Sequence, residues 1–140
     1  MEKDTRDNGG QETEKFLTRR IVIKIGTSTI SGGKNRPDFD LMCDIARQAT
    51  ELLNDGVSVV IVSSGAVDSG KREGFERRDI VDKQVEAVFG QCRLMAKWTN
   101  AFEQYGIEDI GQLLYTDIDL KEKATSAREV LSRALFKEVL

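Results

Sequence analysis

Apolar and polar positions along the chain switch between two periods, and the switches predict strands alternating with helices. Ile21-Val22-Ile23-Lys24-Ile25 is an apolar run interrupted by one lysine and reads as a first strand. Ser31 to Arg36 is a glycine-rich turn. Pro37 and Asp38 then open a helix, with proline near the first turn and an acid at the N-terminal end. Leu41, Met42, Ile45, Ala49, Leu52 and Leu53 keep its helical period, and Gly56 is its stop. Val57 to Val62 is a nearly continuous β-branched run, the pattern of a strand covered on both faces in a parallel sheet. Lys71 to Asp79 is charged and reads as a solvated loop. Val81, Val85, Val88, Cys92, Met95, Trp98 and Phe102 predict a long helix with that stripe in the core, closing at Gly106. Ile110 to Tyr115 predicts a third strand. A last helix is expected from about Ser126, with Ala127, Val130, Leu131, Ala134 and Leu135 on its apolar face. Long helical connections between strands imply a largely parallel sheet and an α/β fold.

Composition narrows the picture. A length of 140 residues suits one domain with a real core. The net charge of -3 gives no basic field for nucleic acid. The chain has no histidine, which excludes Ser-His-Asp and Cys-His catalysis and His-ligated zinc within it. Phosphoryl transfer is untouched by that absence, because positioning and electrostatics carry it. Cys43 and Cys92 stand in no metal or redox spacing, and Cys92 is expected to fill the core, as suits a reducing compartment. No apolar run reaches membrane-spanning length. Residues 1–18 are polar and rich in acids, unlike a signal or transit peptide, and read as a disordered extension before a domain over 19–140. A cytoplasmic address follows as the default. The chain stops at Phe136-Lys137-Glu138-Val139-Leu140 without a glycine cap, and reads as truncated.

The candidate chemistry lies at the ends of the first two strands. Lys24 is a cation in an apolar strand, and desolvating it without a partner is costly. An anion at the strand end would supply the partner, with Gly26 admitting backbone amides and Thr27, Ser28 and Thr29 adding hydroxyls. A phosphate fits; a lysine that merely snorkels to water is the alternative. The loop is neither a Walker A motif, since Lys24 precedes Gly26, nor a G-x-G-x-x-G dinucleotide fingerprint. Ser63-Ser64-Gly65-Ala66 forms a second hydroxyl-bearing junction after the second strand. Ligands of open α/β sheets bind at the carboxyl ends of strands, so the two junctions are expected side by side. Asp117 and Asp119 lack a third metal ligand and are expected to start a turn or helix.

Taken together, these segments resemble the amino-acid kinases. Ile21 to Thr29 looks like their first strand and phosphate loop. Val62-Ser63-Ser64-Gly65-Ala66-Val67 looks like the substrate loop of the glutamate 5-kinase group in particular. Lys83-Gln84, Ala87-Val88-Phe89-Gly90-Gln91 and Arg93-Leu94-Met95 are similar to that group's long helix at the same spacing, and Gly111 to Thr116 to its third strand. The resemblance runs from Arg20 to Leu140. It implies a three-layer sandwich with a mainly parallel sheet, of which this chain is the N-terminal half. It implies transfer of the γ-phosphoryl of MgATP to the side-chain carboxylate of L-glutamate, the first step of proline biosynthesis. By the same resemblance Lys24, Gly26, Thr27 and Ser28 would hold the ATP phosphates, with Lys24 catalytic, and Ser64, Gly65 and Ala66 would contact glutamate. ATP and Mg2+ would be the cofactors, with no metal ligand supplied by this chain. Assembly into a homo-oligomer, feedback inhibition by proline and fusion to a reductase all occur in that group. Thr125-Ser126 departs from the Leu-Asn usual there, and Phe89 from a smaller residue, read as a packing change. Two other readings stay open: a non-catalytic half-kinase that binds an amino acid or a partner subunit, and a kinase of the same family with a different acceptor.

Overall fold

A computed structural model describes residues 20–74, 76 and 78–135. The polar extension expected over 1–18 and the terminal Phe136–Leu140 lie outside them. The order is β1 (Arg20–Ile25), α1 (Thr27–Ser31), α2 (Phe39–Asn54), β2 (Ser58–Ser63), α3 (Ala66–Gly70), α4 (Ile80–Glu103), α5 (Asp117–Glu122) and α6 (Ala124–Leu135). It is an α/β fold built on a parallel pair.

β1 and β2 pair in parallel, with Ile21 opposite Val59, Ile23 opposite Ile61 and Ile25 opposite Ser63. The crossover between them carries α2, as a parallel pair requires. Asp38 caps α2, its Oδ1 accepting from the Asp40 N–H at 3.1 Å, and Lys34 beside it holds the Asp38 carboxyl below its usual range. At the other end Gly56 takes a left-handed turn at φ 79° and donates to Leu53 O at 3.0 Å. Met42, Ala46, Ala49 and Thr50 form the buried face of α2.

Alternation along the strands sends Ile21, Ile23, Ile25, Val59 and Ile61 toward one face, where Ile23, Ile25, Val59 and Ile61 meet Ile30, Met42, Leu94, Trp98 and Phe102 in the core. The opposite face is open: Val22 is 64% exposed and Val62 50%. The expectation of a β2 covered on both faces is therefore not met among the described residues. Trp98 and Phe102 lie with ring centroids 6.1 Å apart, and the buried indole Nε1 of Trp98 donates to Ser63 Oγ at 3.0 Å.

The long helix forms as expected, but its buried face does not. Trp98 and Phe102 are buried and Met95 half-buried, whereas Val81, Val85, Val88 and Cys92 are exposed. From its start to Leu94, α4 buries Glu86, Gly90 and Leu94 instead. Gly90 and Leu94 each lie two residues, about 200° of turn, from the expected positions Val88 and Cys92. The cause is the crossing with α3, which rests on a glycine face that an apolar count does not score. Cys92 is thus a surface thiol rather than a core filler. Phe89 is 45% exposed and packs beneath the Arg72 guanidinium at the surface.

The third strand expected over Ile110–Tyr115 is also absent among the described residues. The segment carries neither strand nor helix, and Leu114 is 71% exposed. A strand needs a neighbour's N–H and C=O groups, and no described backbone hydrogen bond joins this segment to β1 or β2. Thr116 and Asp119 then form a capping box for α5. Thr116 Oγ1 accepts from Asp119 N–H at 3.2 Å, and Thr116 N–H donates to Asp119 Oδ2 at 3.0 Å. The Thr116 hydroxyl holds the Asp119 carboxyl below its usual range. The acids after Tyr115 thus start a helix, as expected. α6 begins at Ala124, with Ala127 buried, Leu131 and Leu135 half-buried, and Val130 and Ala134 exposed.

Candidate functional site

The two hydroxyl-bearing junctions meet at the carboxyl ends of the parallel strands. Ser64 N–H donates to Ile25 O at 2.9 Å, extending the strand pairing by one bond and tying the junctions together. Lys24 is opposite Val62 in the register, on the open face of the sheet. It is exposed, and no carboxylate lies within salt-bridge distance of it among the described residues. The desolvation argument for an anionic partner therefore does not apply to Lys24 as it stands; what the fold provides is an available cation at a strand end.

Gly26 follows in extended conformation as the residue before α1, and its carbonyl accepts from Ile30 N–H at 3.0 Å. Thr27 and Ser28 open α1 and are exposed. First-turn N–H groups of a helix have no intrahelical acceptor, so this turn presents amides and hydroxyls together. Ile30, fully buried, anchors the turn from beneath.

At the second junction the two serines divide. Ser63 Oγ accepts from Trp98 Nε1 and donates to Ser64 O at 3.0 Å, so its hydroxyl serves the fold. Ser64, half-buried, is the serine left at the strand end. Gly65 turns the chain into α3 at φ 113° and is buried, and Ala66 is the first residue of α3. A Cβ on Gly65 would meet Pro37 Cγ at 3.3 Å and Ile30 Cγ2 at 3.4 Å in a backbone region that side chains rarely adopt. Gly65→Ala is therefore expected to cost about 1–3 kcal/mol in urea unfolding and to move Ser64. An unchanged midpoint would show that the turn tolerates a side chain.

Lys24, Gly26, Thr27, Ser28, Ser64, Gly65 and Ala66 are thus gathered at one end of the sheet, as the sequence predicts. Two contributors were not legible beforehand. Trp98 fixes which serine is free, and its indole gave only an apolar signal. Gly70 and Gly90 set α3 against α4; Gly90 belongs to the helix motif, but spacing alone gave no reason for it. No group of three or more Cys, Asp or Glu side chains that could hold a metal occurs among the described residues, nor any helix long and apolar enough to cross a membrane.

Comparison with known proteins identifies the family. Residues 19–140 match the amino acid kinase family. The chain is 37% identical over 124 residues to glutamate 5-kinase 2 of Pseudoalteromonas translucida, covering 86% of this chain and 34% of that protein. It is 38% identical over 125 residues to a glutamate 5-kinase of Vibrio parahaemolyticus, covering 86% and 33%. The glutamate 5-kinase of Shewanella woodyi is 37% identical over 127 residues, covering 87% and 34%. This chain therefore spans about a third of the length of these relatives. With its parallel βαβ core and a match over residues 19–140, the chain belongs to the amino acid kinase family.

Proposed function

We propose that the chain supplies the phosphate loop and part of the acceptor loop of a glutamate 5-kinase, which transfers the γ-phosphoryl of ATP to the side-chain carboxylate of L-glutamate and opens proline biosynthesis. The observation that carries the reading is the junction pair: an exposed Lys24 without an ion-pair partner among the described residues, beside the Gly26–Ser28 turn, hydrogen-bonded through Ile25 to Ser64. The similarity to glutamate 5-kinases supports the choice of acceptor.

The chemistry suits these residues. A carboxylate acceptor is already ionised at neutral pH, so no general base is needed and the missing histidine costs nothing. The task is to bring two anions together and offset their repulsion. In this reading Lys24 neutralises charge on the phosphoryl oxygens, while the amides and hydroxyls of Gly26, Thr27 and Ser28 orient the phosphates. Ser64, Gly65 and Ala66 position the glutamate. Mg2+ would arrive on the nucleotide phosphates, where it usually binds with only one or two protein carboxylates.

The test is ADP release by the complete polypeptide, with L-glutamate, L-aspartate and N-acetyl-L-glutamate offered separately. Glutamate-dependent release well above the other two is expected. Preference for another acceptor would move the protein elsewhere in its family. Glutamate binding by calorimetry without any ATP turnover would favour a binding module.

A further inference from the structure

α3 has the candidate site at its N-terminal end and a basic cavity at its C-terminal end. The cavity has a volume of about 360 Å³ and is lined by Arg36, Ser69, Lys71, Arg72, Arg93 and Lys97. Its cations come from three places: the turn before α2, the chain just after α3, and one face of α4. None of them belongs to the junction pair around Lys24 and Ser64.

Apart from Lys71, these cations are held in place without a carboxylate partner among the described residues. Arg36 Nη2 donates to Lys71 O at 2.9 Å, Arg93 Nη1 to Ser69 O at 3.3 Å, and Lys97 Nζ to Pro37 O at 2.8 Å. Each acceptor is an uncharged carbonyl, and each cation keeps further N–H donors. Arg72 stacks over the Phe89 ring, its Cζ 4.1 Å from the centroid. Among the described residues only Lys71 has a carboxylate partner, Asp68 at 2.7 Å. Gathering like charges is unfavourable unless a counter-charge joins them. Ser69 is the buried member of the lining, 7% exposed, and its backbone carbonyl anchors Arg93.

We propose that this cavity binds a compact, multiply charged oxyanion of the phosphate type, at a site separate from the phosphate loop at Lys24. Planar guanidinium forks match phosphate oxygens two at a time, and three arginines line the wall. The volume suits an inorganic phosphate or pyrophosphate group.

Calorimetric titration of the purified chain with inorganic pyrophosphate, at constant ionic strength, tests this. Arg72→Gln is the primary variant, because Arg72 stacks only on an exposed ring and its loss spares the fold. It is expected to weaken binding by about tenfold, the loss of one charge-assisted contact. The titration is run in a Lys24→Ala background, which takes away the phosphate loop's own share; there the Arg72-dependent binding should persist, and adding Arg93→Gln to Arg72→Gln should remove the remaining signal. Absence of binding to the wild-type chain overturns the proposal. So does binding lost in Lys24→Ala but kept in Arg72→Gln, which would assign the anion to the phosphate loop instead. Circular dichroism of each variant separates lost binding from lost structure. The site stands or falls independently of the kinase reading, since turnover plays no part in the measurement.

Discussion

Replacing Gly90 by alanine is expected to destabilise the chain by about 3 kcal/mol or more, although alanine is the better helix former by about 1 kcal/mol. A Cβ at Gly90 would fall 1.7 Å from Ala66 O and 2.5 Å from Gly70 N. Both are backbone atoms and cannot rotate away. The contact is reciprocal, for a Cβ at Gly70 would fall 1.8 Å from Glu86 O. α3 and α4 thus touch backbone to backbone, and relief of the clash requires one helix to move. Ala66 opens α3 directly after Ser64 and Gly65, so the displaced element is the one that holds the second strand-end junction. Urea unfolding of Gly90→Ala beside Gly111→Ala measures the effect. Gly111 has open space around its Cβ position and no positive φ, and its substitution should change stability by about 0.5 kcal/mol or less. Equal behaviour of the two variants would refute the close crossing.

Removing the amine of Lys24 should act on rate and leave the fold alone. Lys24 is exposed and has no ion-pair partner among the described residues, so Lys24→Ala should shift stability by about 0.5 kcal/mol or less. In the complete polypeptide, losing a cation aimed at the transferring phosphoryl group should lower kcat roughly 10²–10³-fold, with a smaller change in KM for glutamate. Steady-state kinetics with both substrates varied would show it. A variant with wild-type kcat would remove Lys24 from the mechanism, and a pure rise in KM would make it a ground-state binding group.

Sequence patterns carried far where one side chain decides one position. The β1–α2–β2 unit was legible from the apolar runs, the Pro37-Asp38 start and the Gly56 stop, because propensity, capping and burial agree there. The meeting of the two strand-end junctions was legible because glycines and hydroxyls follow both strands directly. Three features were not, each for a physical reason. The buried face of α4 is set by Gly90 and by the buried acid Glu86, neither of which scores as apolar. Valines 81, 85 and 88 kept a helical period on the exposed side, and period does not say which side is covered. The segment Ile110–Tyr115 has strand composition, yet pairing depends on a neighbour that no local pattern supplies. The Arg36, Arg93 and Lys97 cluster joins residues up to about sixty positions apart, and only the fold brings them together.

If the acceptor is a side-chain carboxylate, the product must be an acyl phosphate. Acyl phosphates react with hydroxylamine to give hydroxamates, whereas phosphate esters and phosphoramidates do not under mild conditions. Incubation of the complete polypeptide with MgATP, L-glutamate and hydroxylamine, followed by mass spectrometry, tests this directly. Glutamyl hydroxamate is expected, formed in step with ADP and absent when glutamate is omitted. ADP released with glutamate but without hydroxamate would contradict it.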